Sequence, residues 1–478
     1  MKWNKRSWIV LVFVVFIIVV IGIRFWSYFS LAIPLGYDHG IYRAFFMMLQ
    51  DQLPYLHFWQ LPAWVKATYE PFSWLFYIVA QRTLWLSADM LLLRWVGAIH
   101  ILISVFIYLV LRKYNKTVAL FWIVLYLTSI IQYEVFRWGY LKQMMGVLFI
   151  LTAYYLIEKK SYRLLIPILT WLFTVNRAGG IFFLVSFLVY KIIVAFREKS
   201  WTWKDIRPLI IASWLSLVVY RPVVKEQIFA MFWPMFGQAF IWEASGTFFD
   251  KQTYSMYNLI FIGLAVWGCI YWRSKQLFKK IPLELVWFIV GMVRVGIQLF
   301  FYNRMLGYLD IFVIILAAYG LSYLVISSNK LWKSVGIWLY LLQLCFFCIF
   351  VFNTNFPLIV PQEFASIQKI PSLIPATAKI MVTDKKYSAF LMGYGGHNII
   401  ARWLFDLDPW TTTQWQYRHN VDGTTKCKLL DALGKDKRPQ YLRIGSLQVP
   451  TSLSGATCLK QLLWDTHYWF YLVNYPDA

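Results

Sequence analysis

Three short stretches of the sequence place ionisable residues beside long apolar segments. Asp38 lies in PLGYDHGIYRAFF, Glu134 and Arg137 lie in YEVFRWGY, and Arg304 lies in YNRMLGYLD. A carboxylate at the membrane surface can meet a lipid headgroup and a water-borne acceptor together, and guanidinium groups bind phosphate oxygens. The alternative for Asp38 is a solvated loop residue, or the cap of an amphipathic helix that begins there.

The composition is that of an integral membrane protein. Of the 478 residues, 60% are hydrophobic and 20% are aromatic, whereas only 14% are charged. The formal net charge of +24 does not indicate a nucleic-acid partner, because much of the basic charge gathers in short loops between apolar segments. The expected surroundings are therefore a lipid bilayer, with no nucleic acid.

Apolar segments near the length that spans a bilayer recur before the C-terminal region. We predict about eleven transmembrane helices, at 7–23, 91–111, 118–134, 138–157, 163–176, 179–196, 208–221, 255–272, 284–301, 305–326 and 332–352. The first lacks a small-residue cleavage site and is interpreted as an uncleaved anchor. The positive-inside rule places the N-terminus in the cytoplasm and the chain after about residue 353 outside. Phe72 to Ser87 is also apolar, but a span there would invert every later loop, so a re-entrant or interfacial helix is expected.

Two domains are expected. Residues 1–352 form a polytopic α-helical membrane domain with a first exported loop at about 31–90, and residues 353–478 form a small extracytoplasmic α/β domain. The second has short mixed segments such as KIMVTD and PQYLRIGSL, and a length sufficient to bury a core. It contains Cys427 and Cys458, which are equally open to a disulfide or to two free thiols. The other three cysteines are interpreted as packing residues within spans.

In order along the chain, these stretches resemble the GT-C superfamily of integral membrane glycosyltransferases, which take sugars from polyprenyl phosphate carriers. The first exported loop matches the family's Asp, Tyr, PY and proline-containing motifs at Asp38, Tyr42, Pro54, Tyr55, Tyr69 and Pro71. The outer-face Glu-Arg-Tyr motif is matched by Glu134, Arg137 and Tyr140. The late Arg-Tyr-Leu motif is matched by Arg304 and Tyr308, with Asp310 where a proline is often found.

The resemblance implies a mannosyltransferase-like, inverting hexosyl or pentosyl transferase in the cytoplasmic (inner) membrane of a bacterium or archaeon. Such an enzyme moves a sugar from a polyprenyl-phosphate donor to an acceptor hydroxyl of a glycan, lipid or protein at the outer face. Asp38 is the expected general base, and Arg137 and Arg304 are expected to hold the phosphate. Further candidates for binding the substrate or the lipid phosphate are Tyr42, Glu134, Lys142, Arg177 and Tyr308.

Some of these residues have equally simple structural interpretations. Lys142 and Arg177 are as easily explained as outer-loop charges that snorkel to lipid headgroups. Glu134 either binds a sugar hydroxyl or orients Arg137. Arg294 lies inside a predicted span, where it is expected to face the bundle interior and to pair with a lipid phosphate or a carboxylate. The candidate carboxylates are Glu284 and Asp310.

No metal cofactor is favoured, because a lone Asp-His pair on a loop is a poor metal signature. The residues that could be drawn as a metal site are Asp38, His39, Asp51 and His57. Two other functions stay open. A secondary transporter predicts symmetric halves and broken helices at the midplane, which the sequence does not show. A surface-polysaccharide polymerase or ligase is expected to centre on a large late loop, whereas here the acidic motif comes in the first loop.

Overall fold

The structure is a computed structural model of the chain. It describes residues 5–30, 33–51, 85–92, 96–112, 116–198, 203–220, 250–274, 283–298, 302–375, 377–396, 398–401, 417, 421–433, 438–445, 453, 455–465 and 468–475. Most of the segment from Phe72 to Ser87, expected to be re-entrant or interfacial, lies outside the described residues. The motif residues Pro54, Tyr55, Tyr69 and Pro71 also lie outside, as does His57 of the metal-site alternative.

The described residues fall into two compact units. The helical unit contains residues 5–30 and the described residues from 96 to 356. The mixed unit contains residues 33–51, 85–92 and the described residues from 357 onward. The described part of the predicted first exported loop falls in the mixed unit, where it packs on the C-terminal segment.

The helices are numbered in chain order. They are α1 (Lys5–Ser30), α2 (Asp38–Asp51), α3 (Ala88–Met90), α4 (Val96–Leu111), α5 (Lys116–Leu127), α6 (Ile130–Arg137), α7 (Leu141–Glu158), α8 (Tyr162–Val175), α9 (Arg177–Glu198), α10 (Trp203–Tyr220), α11 (Lys251–Tyr257), α12 (Leu259–Ser274), α13 (Leu283–Gly296), α14 (Tyr302–Ile326), α15 (Lys330–Thr354), α16 (Pro361–Lys369), α17 (Lys385–Phe390) and α18 (Gly423–Asp431). A 3-10 turn, Ile370–Ser372, follows α16, and a π-helical turn, Leu391–Gly395, follows α17.

Apolar helices occupy the predicted spans. Each predicted segment overlaps a helix or a bent pair of helices, because a backbone in apolar surroundings must bond within its own segment. Within the described residues, α7, α9 from Ala178, α14 and α15 are the four helices long and apolar enough to cross a membrane, and up to six qualify if each bent pair is one span. The count of about eleven spans is therefore not confirmed. The core of the helical unit contains α14, which is buried along most of its length.

Two segments predicted as single spans are bent. The pair α5 and α6 turns by 51° across Thr128 and Ser129, and the pair α11 and α12 turns by 76° at Asn258. Neither break contains proline or glycine, which are common causes of sharp bends. Because α6 continues to Arg137, the helix extends beyond the predicted span, which ended at Glu134.

The mixed unit has the sheet expected of an α/β domain. Its strands are β1 (Lys379–Val382), β2 (Asn398–Ala401), β3 (Tyr441–Gly445), β4 (Leu459–Asp465) and β5 (Tyr468–Val473). Their order is β2-β1-β3-β5-β4, with β1 parallel to β2 and β3, and β5 antiparallel to β3 and β4. Met381, Leu430 and Leu442 are buried in its core. A disulfide joins Cys427 of α18 to Cys458, which decides between the two alternatives for these cysteines.

Candidate functional site

Asp38, the expected general base, is the first residue of α2 and is half-buried. The preceding residue, Tyr37, has its hydroxyl 2.6 Å from Ser388 Oγ. Burial raises the pKa of Tyr37 to about 12, and the negative charge of Asp38 adds to the rise, whereas the hydrogen bond with Ser388 opposes it. Asp38 thus begins a helix, as the structural alternative also predicted, and its charge acts on a phenol that contacts the C-terminal segment.

Two glycines allow α2 to contact the segment after β1 through the backbone. A side chain at Gly40 would place its Cβ under 3.0 Å from backbone atoms of Ala389 and Phe390, and one at Gly393 would lie equally close to the backbone of Gly40. Only residues without a Cβ fit this approach of α2 to α17 and the π-helical turn. The sequence signal was the stretch GYGG, which taken alone predicts only a turn.

Arg43 adds charge-assisted hydrogen bonds to the same contact. Its Nε and Nη2 donate to Oδ1 and Oδ2 of Asp89 at 2.8 and 3.2 Å. Its Nη1 donates to the carbonyl oxygen of Gly393, and its guanidinium lies 4.4 Å from the centroid of the Tyr394 ring. Bidentate pairs of this kind are stronger than single ion pairs. Sequence reasoning missed this role of Arg43, because its partners are distant in the chain.

The neighbours of Asp38 on α2 are buried. His39 is 1% exposed, and burial lowers its pKa to about 4, although hydrogen bonds with the backbone of Gly36 and Leu92 oppose this shift. The imidazole is therefore neutral at pH 7. Tyr42, a predicted substrate-binding residue, is also buried. A search of the described residues alone finds no group of three His, Cys, Asp or Glu side chains that could hold a metal ion.

Glu134 and Arg137 form a bidentate pair at the C-terminal end of α6. Arg137 Nε and Nη2 donate to Oε1 and Oε2 of Glu134 at 2.8 and 2.9 Å, and Trp138 Nε1 donates to Oε2 at 2.6 Å. Arg137 Nη1 also donates to the carbonyl oxygen of Thr354 at 3.3 Å. Of the two roles predicted for Glu134, this geometry fits the one in which Glu134 orients Arg137. The arginine side chain stays 17% exposed.

The C-terminal end of α6 and the N-terminal ends of α7 and α14 lie together. Gln143, in the first turn of α7, donates from Nε2 to the carbonyl oxygen of Arg304 at 3.3 Å. Gly307 lies against the side chains of Gln143 and of Val135 in α6. The Glu-Arg motif of α6 and the Arg-Tyr motif of α14 therefore belong to the same end of the helical unit.

The start of α9 joins this cluster through Tyr308. The hydroxyl of the buried Tyr308 fills the space beside two glycines, since a Cβ at Gly146 or Gly179 would lie only 2.5 or 2.7 Å from it. Asn176 Nδ2 donates to the carbonyl oxygen of Lys142 at 3.0 Å, and Asn176 Oδ1 accepts from the Gly179 N–H at 2.9 Å. The backbones of α7 and α9 are thereby fixed beside α14.

The structure therefore places the backbone positions of Arg137, Lys142 and Arg304 on neighbouring helix ends of the helical unit. Arg304 is exposed, Lys142 is half-buried, and Arg177 is the first residue of α9, with a side chain outside the described residues. Cationic side chains gathered at one end of a helix bundle favour binding of a phosphate group. Sequence reasoning missed Gln143 and Asn176, because isolated amides in apolar segments carry no pattern of their own.

The two carboxylates proposed as partners of Arg294 have other hydrogen-bond donors. Glu284 Oε1 accepts from the Tyr154 hydroxyl at 2.5 Å. Asp310 accepts from three polar side chains at the two helix breaks. Arg294 itself is half-buried on α13.

The fold of the chain resembles that of solved membrane-enzyme structures, in line with the resemblance that the sequence motifs suggested. No protein-family model and no curated protein sequence matches the chain. The apo oligosaccharyltransferase of Archaeoglobus fulgidus is similar with a TM-score of 0.67 at 10% identity, over 100% of this chain and 76% of that chain. ArnT from Cupriavidus metallidurans is similar with a TM-score of 0.59 at 12% identity in its apo state. Bound to undecaprenyl phosphate, ArnT has a TM-score of 0.58 at 14% identity, and both comparisons cover 98% of each chain.

Proposed function

We propose that this protein is a glycosyltransferase that moves a sugar from a polyprenyl-phosphate donor to an acceptor hydroxyl at the outer face of the cytoplasmic membrane. The observation that carries the proposal is the position of Arg137, Lys142 and Arg304 on neighbouring helix ends at one end of a GT-C-like fold. A lipid phosphate needs such cationic groups. The ArnT structure of the same fold contains undecaprenyl phosphate, which supports a donor of this class.

In the proposed step, the acceptor hydroxyl attacks the anomeric carbon of the donor sugar with inversion. The bond between this carbon and the phosphate oxygen breaks, and polyprenyl phosphate departs. Asp38 takes the proton of the hydroxyl as general base. Arg137 and Arg304 neutralise the charge that develops on the departing phosphate. Lys142 and Arg177 are further proposed phosphate ligands.

The buried tyrosines have a different part in this proposal. Because Tyr42 and Tyr308 are both buried, they support the site by packing. Tyr308 does so between α7 and α9, whose glycines its hydroxyl touches. Glu134 holds Arg137 in one orientation through both of its carboxylate oxygens.

We also propose that the C-terminal segment lies on the outer side of the membrane. The disulfide between Cys427 and Cys458 supports it, because disulfides persist in oxidising compartments. The basic residues between the apolar segments support a cytoplasmic N-terminus.

The test is sugar transfer by the purified chain in lipid nanodiscs. Radiolabelled polyprenyl-phosphate sugars are offered singly as donors, with glycan, lipid and peptide fractions of the cell envelope as acceptors. Asp38→Asn is expected to lower the rate by about 10²-fold or more. Asp431→Asn is the matched control, because its surface ion pair with Arg438 contributes little to stability.

Equal transfer by wild type and Asp38→Asn would remove Asp38 from the mechanism. Absence of transfer with every donor would refute the proposed function. Polymerisation of a lipid-linked oligosaccharide in the same nanodiscs would then favour a polysaccharide polymerase, and movement of a labelled solute across liposomes would favour a transporter.

A further inference from the structure

The buried carboxylate of Asp310 is a common partner of both helix breaks. Asp310 lies in the N-terminal half of the core helix α14 and is 0% exposed. Ser129, at the break between α5 and α6, donates from Oγ to Oδ2 of Asp310 at 3.0 Å. Asn258, at the break between α11 and α12, donates from Nδ2 to Oδ1 at 2.7 Å. One side chain therefore contacts two bends that are far apart in the sequence.

The carboxylate also holds the first turn of α6. Gln132 Nε2 donates to Oδ2 of Asp310 at 2.8 Å and to the carbonyl oxygen of Gly307 at 2.9 Å. Ser129 Oγ accepts from the backbone N–H of Gln132 at 3.1 Å, as a helix N-cap does. The start of α6 is thus bonded to α14 by two side chains and capped by one of them.

Neighbouring helices satisfy the carbonyl groups that the first break leaves open. Arg24 of α1 donates from Nη1 to the carbonyl oxygen of Leu127 at 2.7 Å, and Gln343 of α15 donates to that of Thr128 at 3.1 Å. Both donors are buried. Arg24 also interacts electrostatically with Asp310, and its positive charge offsets a carboxylate that is costly to bury in a membrane protein.

We infer that Asp310 is a positioning residue: it bonds both helix breaks and thereby sets the direction of α6, whose far end carries Glu134 and Arg137. Proline and glycine are absent from both breaks, and at each break the side chain of a break residue, Ser129 or Asn258, bonds Asp310 instead. The role in bending is independent of the proposed function. Only the consequence for Arg137 rests on that function.

A charge exchange between positions 258 and 310 tests the contact. Asn258→Asp places a second carboxylate against Asp310, and we expect a fall in melting temperature on the order of 10 °C. Adding Asp310→Asn restores the pairing, because the new amide donates to the new carboxylate while its oxygen still accepts from Ser129 and Gln132. The double variant is expected to melt within about 3 °C of wild type.

Hydrogen exchange distinguishes positioning from general packing. Gln132→Leu removes the side-chain bonds from α6 to α14, and Asn258→Ala removes the bond from the second break to Asp310. We expect amide exchange to rise about tenfold in Ile130–Arg137 for the first variant and in Lys251–Tyr257 for the second, with Leu141–Glu158 unchanged in both. Amide hydrogen exchange equal to that of wild type in both variants would overturn the inference. So would a double variant, Asn258→Asp with Asp310→Asn, that is as unstable as Asn258→Asp alone.

The transfer assay completes the test. Gln132→Leu is expected to lower kcat about tenfold with little change in the KM of the donor, because the misplaced Arg137 acts on charge that develops only as the phosphate departs, whereas Lys142 and Arg304 still bind the donor. Wild-type kcat in Gln132→Leu would overturn the positioning of Arg137. Absence of transfer by wild type, together with the expected exchange and rescue, would refute the proposed function while supporting the bending role of Asp310.

Discussion

Replacing Gly40 with alanine tests whether α2 is held on the C-terminal segment by backbone contact. The new Cβ would lie under 3.0 Å from the carbonyl group of Ala389 and from the amide nitrogen of Phe390. These are backbone atoms, so they cannot rotate out of the way as a side chain can. Because contacts below 3.4 Å are tighter than nine in ten real Cβ contacts, α2 has to withdraw by about 1 Å.

The cost follows from that withdrawal. It moves the Tyr37 hydroxyl from 2.6 Å to about 3.6 Å from Ser388 Oγ, beyond hydrogen-bonding distance. The lost hydrogen bond costs about 1 kcal/mol and the overpacking about 1–3 kcal/mol. The better helix propensity of alanine returns about 0.5–1 kcal/mol. We therefore expect Gly40→Ala to lower the free energy of unfolding of the mixed unit by about 1–3 kcal/mol.

Gly22→Ala is the matched control, since this helical glycine of α1 has no atom within 4 Å of the added Cβ. It is expected to leave stability unchanged or to raise it by up to about 1 kcal/mol. The assay combines thermal melting with hydrogen exchange of Asp38–Asp51. Gly40→Ala should lower the melting temperature by about 3–10 °C and speed exchange in this helix. If the two variants melt and exchange alike, the backbone contact does not hold α2.

Three further predictions follow from single residues. The mixed unit should lose up to about 3 kcal/mol of stability as the pH falls from 6.5 to 4, because unfolded His39 takes up a proton that the buried ring with a pKa of about 4 does not; His39→Leu should flatten this slope in melting at varied pH. Cys427→Ser should cost about 3–4 kcal/mol, as expected for a crosslink that spans 31 residues, and reduction of the wild type should give the same melting curve. Glu134→Gln should lower transfer by about 10–100-fold, whereas Glu198→Gln, a change at an exposed helix end, should leave kcat/KM unchanged.

Hydropathy patterning alone predicted the helices and the change in character near residue 353. Apolar segments of this length must form helices in a membrane, because each backbone group finds its partner within the same segment. The short mixed segments of the C-terminal region likewise predicted strands, which the structure shows as β1 and β3. The motif residues Glu134 and Arg304 were identified from their types and order, and the structure places their helices together.

The bends, the docking of α2 and the role of Asp310 were decided by tertiary structure. Asn258 bonds Asp310 across 52 residues, and Tyr37 meets Ser388 across 351 residues. Nothing in the local sequence distinguishes Asn258 from other amides in apolar segments, and no proline or glycine marks its break. Local periodicity sets where a helix forms, because helical bonds join near neighbours. Which buried polar groups pair is set by the packing of distant segments, since a buried donor or acceptor must find a partner wherever the fold supplies one.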